Sequence, residues 1–122
     1  MSREPKTTPR THIRWMIRRD MKQVLDIERQ SFEFPWSEDE FVQQLRRRNC
    51  IGMIAEQGPA VVGFMVYEYH ATRVHLLNFA VDGAHRRRYV GTQLVNKLKG
   101  KLSAGRRVRV SIEIRESNLI AQ

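Results

Sequence analysis

Apolar and polar residues alternate along several stretches of this chain of 122 residues, and the alternation predicts five β-strands. The clearest case is the last stretch, where every second residue between Arg107 and Arg115 is apolar, as expected for a strand with one buried face. Gly58 and Pro59 separate two other apolar stretches and predict the turn of a hairpin. The predicted strands are His12–Arg18, Cys50–Glu56, Ala60–Tyr69, Arg73–Val81 and Arg107–Arg115.

The first predicted strand follows a polar, basic segment, residues 1–11, which we expect to form a flexible tail. Within the strand, Ile13, Trp15 and Ile17 alternate with polar residues. All three are therefore expected to face the same side of the sheet.

Apolar residues three or four positions apart predict three helices. Asp20 is a suitable N-cap for the first, and Ser37 with Glu40 three residues later forms the capping box that begins the second. The third helix follows a loop with three arginines and is expected to end near Gly105. The helices are predicted over Met21–Ser31, from Ser37 onward and over Gly91–Ser103, with apolar faces formed by Met21, Val24 and Leu25, by Phe41, Val42 and Leu45, and by Val90, Leu94, Val95, Leu98 and Leu102.

The predicted order of elements, β-α-α-β-β-β-α-β, indicates a single α/β domain over residues 12–122. The fourth strand, the third helix and the fifth strand form a βαβ unit, so these two strands are expected to be parallel with a right-handed crossover. The remaining strands are expected to be antiparallel, which makes the predicted sheet mixed but mostly antiparallel.

The net charge of +9 is typical of a protein with an anionic partner, such as nucleic acid, a membrane surface, the ribosome or a phosphorylated cofactor. The single cysteine, Cys50, excludes a disulfide framework within the chain and indicates a reducing, cytoplasmic setting. Cys50 is predicted to be a small core residue and not a nucleophile. No stretch approaches the roughly 20 apolar residues that span a membrane, and the histidines lack the spacing of metal ligands, so no metal site is expected.

The segment Arg86–Thr92 leads from the end of the fourth strand directly into the third helix. The unpaired N–H groups at a helix N-terminus bind phosphates, and arginine side chains add positive charge. The segment lacks both the Gly-Lys-Ser/Thr sequence of a P-loop and the GxGxxG sequence of a dinucleotide site. From charge alone, it is equally well explained as a solvated run of arginines.

Three segments, in the same order, resemble parts of the GNAT-family N-acetyltransferases, and most of all the bacterial ribosomal-protein-alanine N-acetyltransferases. Asn78–Asp82 followed by Arg86–Leu94 resembles the acetyl-CoA motif of the family. The sequence Phe-Pro-Trp-Ser at residues 34–37 resembles the FPWS loop of the ribosomal-protein enzymes. Ile112–Asn118 resembles their Leu-Glu-Val-Arg-x-Ser-Asn segment.

The resemblance implies a GNAT-like fold in which the fourth and fifth strands splay apart and acetyl-CoA binds between them. It also implies transfer of acetyl from acetyl-CoA to an amine by direct attack in a ternary complex. The acceptor implied by the FPWS loop is the N-terminal α-amine of a protein, with a ribosomal protein as one candidate. The implied cofactor contacts are the backbone of Phe79, Ala80 and Val81 for the pantetheine arm, the backbone N–H groups of Arg87, Arg88, Tyr89, Val90, Gly91 and Thr92 for the pyrophosphate, and Asn118.

Glu113 matches the general base of the family by the same resemblance. An α-amine has a pKa of about 7.7–8.0 and is largely protonated below it, so a nearby carboxylate can remove the proton before attack. Without the resemblance, Glu113 is better explained as a surface residue paired with Arg109 or Arg115.

Two departures from the family pattern bear on activity. Tyr89 stands where the first glycine of the acetyl-CoA motif is usual, so we expect weakened cofactor binding. The chain ends at Gln122, before the position of the family's tyrosine acid, so we expect the domain to be incomplete at its C-terminus.

Two other functions remain open from the sequence. The departures are compatible with an inactive acetyltransferase relic. The charge is compatible with a basic nucleic-acid-binding or ribosome-binding module, although nucleic acid is not expected as a partner because stacking motifs and a helix-turn-helix are absent from the sequence. Phe34 and Trp36 are equally compatible with an acceptor pocket and with structural anchors.

Overall fold

The computed structural model describes residues 10–85, 90–104 and 109–112. The predicted order of strands and helices is confirmed, with two short 3-10 turns in addition. The elements are β1 (His12–Trp15), a 3-10 turn (Arg18–Asp20), α1 (Met21–Ser31), α2 (Glu38–Leu45), β2 (Cys50–Gln57), β3 (Ala60–Tyr69), β4 (Arg73–Val81), a second 3-10 turn (Gly83–His85), α3 (Val90–Ala104) and β5 (Arg109–Ile112).

The strands form one sheet in the order β1-β2-β3-β4-β5. Neighbours from β1 to β4 are antiparallel, whereas β4 and β5 are parallel, with Leu76 opposite Ile112 at the last described pair. The mixed, mostly antiparallel sheet predicted from the sequence is therefore confirmed. The predicted hairpin turn between β2 and β3 is also present, and Gly58 adopts a φ of 59° there, a conformation that glycine reaches without steric cost.

The helices cover both faces of the sheet, so the core has two layers. Helices α1 and α2 pack on one face and α3 on the other, because each presents one apolar stripe. The α1–α2 layer contains Val24, Leu25, Ile27, Phe41, Cys50, Ile54, Val61, Phe64, Val66 and Ala80. The α3 layer contains Met53, Ala55, Val62, Met65, Tyr67, Val74, Leu76, Val81, Val90, Leu94 and Leu98.

Gly63 of β3 lets α3 approach the sheet closely. A Cβ atom at this position would lie 3.2 Å from a methyl of Val90, 3.3 Å from a methyl of Leu94 and 3.2 Å from the carbonyl oxygen of Ala80. These distances are shorter than most real Cβ contacts, so a side chain here would push the helix away. Because Gly63 has no side chain, the first two turns of α3 pack closely against β3 and β4.

The start of the chain differs from the prediction in two respects. Strand β1 ends at Trp15, three residues earlier than expected, because residues 18–20 turn and the N–H of Asp20 donates to the carbonyl of Ile17 over 2.9 Å. Trp15 and Ile17 are 67% and 46% exposed, whereas Ile13 packs partly against the α3 layer. The third helix also begins one residue earlier than predicted, at Val90.

Asp20 does precede α1, but the prediction that its side chain caps the helix is wrong. The carboxylate points back instead, where it accepts hydrogen bonds from the N–H of Ile17 at 2.8 Å and from both terminal nitrogens of Arg14 at 2.8 and 2.9 Å. Burial alone would raise the pKa of Asp20, but the hydrogen bonds from Arg14 and Ile17 outweigh it, so the pKa is lowered. This pair ties β1 to the start of α1. The capping box predicted for Ser37 and Glu40 is confirmed.

We expect Asp20→Asn to lower the free energy of unfolding at neutral pH by about 2–3 kcal/mol, because it weakens charged hydrogen bonds at a buried site. Urea denaturation measures the change. The matched control is Asp26→Asn, since Asp26 is exposed and its ion pair with exposed Arg29 should contribute little. Equal effects of the two substitutions would contradict the structural role of Asp20.

The lowered pKa of Asp20 also determines the direction of a pH effect. Its stabilising contribution is present above the unfolded-state pKa of about 3.9 and is lost as the pH falls through the lower folded-state pKa. Asp20→Asn should therefore lose less stability than the unchanged protein on going from about pH 5 to about pH 2.

Candidate active site

Strand β4 contains a bulge at Leu77. Val66 of β3 lies opposite Asn78, and the next residue, Tyr67, lies opposite Leu76, so Leu77 is one residue extra. The described pairing of β4 with β5 ends at Leu76, whereas β4 itself continues to Val81. A bulge bends a strand and increases its local twist. The bulge at Leu77 directly follows Leu76, the last residue of β4 with a described partner in β5.

Beyond the bulge, the backbone of β4 is paired with β3 along one edge. The carbonyl oxygen of Ala80 faces Gly63, and the N–H of Asp82 donates to the carbonyl of Val62 over 2.8 Å. In a strand, successive backbone N–H groups point to opposite edges. The N–H groups of Phe79 and Val81 therefore point to the edge away from β3, and this edge faces the side of β5.

The N–H of Phe79 confirms this alternation, because its partner is a side chain and not β3. It donates to Oδ1 of Asn78 over 2.9 Å. This edge of β4 lies in the segment that the family resemblance implies for the pantetheine arm, and the N–H of Phe79 is bonded there to its neighbour Asn78. Of the three residues predicted there, Phe79 and Val81 present their amides to this edge, and Ala80 separates them.

The N-terminus of α3 lies over this end of β4. A Cβ atom at Gly91 would be 3.4 Å from the ring of Phe79 and 3.7 Å from a methyl of Val81, so the first turn of the helix contacts both residues. Val90 is buried and Thr92 is exposed. The unpaired N–H groups of a helix N-terminus bind anions. The end of α3 and the outer edge of β4 are therefore adjacent.

A buried carboxylate lies on the other face of β4. Glu28 of α1 is fully buried, and one of its oxygens accepts the backbone N–H of Trp36 at 2.7 Å. The other oxygen accepts Nδ2 of Asn78 at 2.8 Å. Glu28 therefore joins three elements: helix α1, the loop between α1 and α2, and strand β4.

The same loop carries the predicted Phe-Pro-Trp-Ser sequence. Trp36 is half-buried and its ring packs edge-to-face on Phe41, with ring centres 5.0 Å apart, whereas Phe34 is 62% exposed. Trp36 therefore anchors the loop to α2, and Phe34 presents an apolar ring at the surface. The packing of Trp36 is that of a structural anchor. An acceptor pocket at Phe34 or Trp36 stays a prediction.

Glu28 was not identified as a functional residue from the sequence, although its position in the helix is unusual for a charged side chain. It lies four residues after Val24 and three after Leu25, on the apolar face of α1. A charged residue in the middle of a buried helical face is unusual unless it has a buried polar partner. Its partners come from residues 36 and 78, and helical periodicity carries no information about either.

The remaining predicted site residues lie outside the described part of the chain. Among the cofactor contacts, the structure describes Phe79, Ala80, Val81, Val90, Gly91 and Thr92 and brings them together at one end of β4. Arg87, Arg88, Tyr89, Asn118 and the predicted base Glu113 are not described.

The described residues also bear on three other possibilities: a cysteine nucleophile, a metal site and a membrane-spanning helix. Cys50 is buried in the α1–α2 layer, as predicted, and burial raises the pKa of its thiol to about 11, so a thiolate nucleophile is not favoured. Among residues 10–85, 90–104 and 109–112, no group of three or more potential ligands has the arrangement of a metal site. Within the same residues, none of the helices has the length and apolar character needed to span a membrane.

Comparison with known families assigns the fold. The model of the acetyltransferase (GNAT) family matches residues 21–122. The chain belongs to the GNAT family. Acetyl-CoA is the cosubstrate of this family. No curated protein matches the sequence significantly.

Several solved structures are similar to this GNAT chain. The ribosomal-protein-alanine N-acetyltransferase of Escherichia coli aligns with a TM-score of 0.78 and 23% identity over 88% of this chain and 69% of that one. Ard1 of Thermoplasma volcanium aligns with a TM-score of 0.78 and 26% identity over 86% and 72%. An aminoglycoside 6'-N-acetyltransferase complexed with coenzyme A aligns with a TM-score of 0.70 and 23% identity over 83% and 60%. Relatives of the same fold thus acetylate chemically different amines.

We expect Gly91→Ala to leave the melting temperature unchanged or slightly higher, because a Cβ atom there meets only ordinary contacts and alanine favours a helix. The same substitution should weaken acetyl-CoA binding about tenfold if the pyrophosphate approaches the helix start closely. Isothermal titration calorimetry measures the affinity.

The matched control for this prediction is Gly100→Ala, in the same helix, where a Cβ atom meets nothing within 4 Å. It should raise the melting temperature and leave acetyl-CoA affinity unchanged. If Gly91→Ala binds acetyl-CoA as tightly as Gly100→Ala does, the helix start is not the phosphate site.

Proposed function

We propose that this GNAT chain transfers acetyl from acetyl-CoA to the N-terminal α-amine of a protein, with a ribosomal protein as the favoured acceptor. The observation that carries the proposal is that the backbone of β4 at Phe79 and Val81, along its edge away from β3, lies beside the N-terminus of α3. The acetyl thioester of acetyl-CoA supplies the activated acyl group. The rest of the reaction depends on how the chain holds this group and removes a proton from the amine.

The backbone of β4 is proposed to orient the cofactor. The backbone of the segment from Phe79 through Ala80 to Val81 hydrogen-bonds the pantetheine arm along the edge away from β3, as an added strand would. The N–H groups at Val90, Gly91 and Thr92, together with those of Arg87, Arg88 and Tyr89, bind the pyrophosphate, and Asn118 adds a side-chain contact. The arginines also neutralise phosphate charge.

Glu113 is proposed to act as the general base. It accepts the proton of the α-ammonium group, directly or through a water, so that the neutral nitrogen can attack the acetyl carbonyl carbon. The C–N bond forms as the C–S bond breaks, and a second proton of the amine passes, directly or through solvent, to the thiolate of the departing coenzyme A. Glu113 is the residue after Ile112, where the described part of β5 ends. Strand β5 runs parallel to β4.

The acceptor is inferred from the loop between α1 and α2. Its Phe-Pro-Trp-Ser sequence resembles that of the ribosomal-protein-alanine enzymes, and one of these, from Escherichia coli, has a similar fold. The exposed ring of Phe34 is suitable for contact with an apolar side chain next to the acceptor amine. Structures of aminoglycoside acetyltransferases are also similar, so a small amine is the competitor to test.

Glu113→Gln should lower the rate of acetyl transfer about 10²–10³-fold, because the amide cannot accept the proton. The increase in melting temperature caused by excess acetyl-CoA should stay the same, since the cofactor contacts are elsewhere. The acceptors to compare are an alanine-initiated peptide, the same peptide with a blocked N-terminus, and an aminoglycoside.

Three outcomes would contradict parts of this proposal. A folded protein whose melting temperature does not respond to acetyl-CoA would contradict the cofactor site and favour an inactive relic. Transfer to the aminoglycoside but not to the peptide would contradict the acceptor. Binding of nucleic acid that weakens steeply with salt, without acetyl-CoA binding, would favour a basic binding module.

A further inference from the structure

The buried Glu28 carboxylate lies between the two sides of the site. On one side it accepts the N–H of Trp36, in the loop proposed to meet the acceptor, over 2.7 Å. On the other it accepts Nδ2 of Asn78, the residue before Phe79 in β4, over 2.8 Å. Oδ1 of Asn78 in turn accepts the N–H of Phe79 over 2.9 Å. The hydrogen bonds form a continuous chain from the loop to the backbone N–H of Phe79, in the segment of β4 proposed to bind the cofactor.

We propose that Glu28 is a positioning residue that couples the 32–37 loop to the cofactor edge of β4. The carboxylate only accepts hydrogen bonds, so it fixes which end of the Asn78 amide faces it and leaves Oδ1 for Phe79. A movement of the loop backbone at Trp36 is then transmitted through Glu28 and Asn78 to the hydrogen bond of the Phe79 N–H. That this coupling serves acetyl transfer rests on the proposed function, but the coupling itself is a property of the ligand-free chain.

The local geometry depends on these hydrogen bonds because the side chains that form them are buried. Glu28 is fully buried and Asn78 is 4% exposed, so water does not readily replace a lost partner. A second contact of the loop, the packing of Trp36 on Phe41, fixes the ring to α2. Glu28 provides a polar link between the loop backbone and β4.

The direction of the hydrogen bonds provides a specific test. In Glu28→Gln, the new amide can still accept the N–H of Trp36, but its NH₂ group then faces Asn78. Asn78 must turn its oxygen toward position 28, which places its NH₂ group against the N–H of Phe79. One hydrogen bond is lost in either orientation of Asn78.

A second substitution, Asn78→Asp, restores these three hydrogen bonds when it is combined with Glu28→Gln. One new carboxylate oxygen accepts the amide introduced at position 28, and the other accepts the N–H of Phe79. The double variant reverses the polarity of the central pair and keeps the shape of both side chains. Asp26→Asn, on the exposed face of the same helix, is the control for removing a negative charge from α1.

The first measurement is hydrogen exchange of the full 122-residue chain without ligand. We expect Glu28→Gln to increase exchange about tenfold both in residues 32–37 and at Phe79, the double variant to restore both, and Asp26→Asn to change neither. An increase in only one of the two segments, or a double variant that does not recover, would overturn the coupling. If Glu28→Gln alone does not fold, the double variant must still fold and show normal exchange, and its failure would also overturn the proposal.

The second measurement connects the coupling to the cofactor. The chain has two tryptophans, so Trp15→Phe leaves Trp36 as the fluorescent reporter of the loop. Acetyl-CoA should change the Trp36 emission, Glu28→Gln should reduce the change at saturation by at least half and weaken binding about tenfold, and Asn78→Asp added to it should restore both. A change that is identical in all variants would mean that Glu28 is only structural.

The two proposals can fail separately. Absence of acetyl-CoA binding by the unchanged protein, measured by calorimetry, contradicts the proposed function, while the hydrogen-exchange result still decides the coupling. Normal acetyl-CoA binding combined with independent exchange of the two segments contradicts the coupling and leaves the proposed function intact.

Discussion

The pairing of β4 with β3, together with the packing of α1 and α3 on its two faces, is the constraint on which the rest of the described structure depends. The pairing with β3 is continuous except at Leu77, and the extra residue there lies at the last described pair with β5. Beyond it, the alternation of a strand directs the amides of Phe79 and Val81 away from β3.

The two helical layers contact β4 through different kinds of groups. Helix α3 approaches closely because Gly63 has no side chain, and its first turn contacts Phe79 and Val81. This contact brings a helix N-terminus, with its partial positive charge, next to this end of β4. On the opposite face, α1 contributes the buried carboxylate of Glu28, which is bonded to Asn78 and to the backbone of Trp36.

Burying Glu28 requires compensation, because an ionised carboxylate loses much hydration free energy in a protein interior. An apolar residue of similar size could fill the same space at lower cost, but it could not direct the Asn78 amide or hold the N–H of Trp36. The exposed ion pairs of this chain, such as Asp26 with Arg29, contribute little by comparison. The position of a charge relative to solvent therefore matters more here than the large net charge of +9.

Periodicity and turn chemistry determined much of this protein from the sequence alone. The order of strands and helices, the Gly58 turn, the Ser37 capping box and the parallel relation of β4 to β5 all follow from local patterns, because each depends on residues a few positions apart or on the chirality of a βαβ unit. The resemblance to GNAT enzymes came from short segments that the family shares. Only the tertiary structure decided that Asp20 pairs with Arg14 instead of capping α1, that Trp15 is exposed, and that Glu28 meets residues 36 and 78. Each of these depends on which distant groups come together when the layers pack, and the sequence pattern of a single element carries no record of its partners.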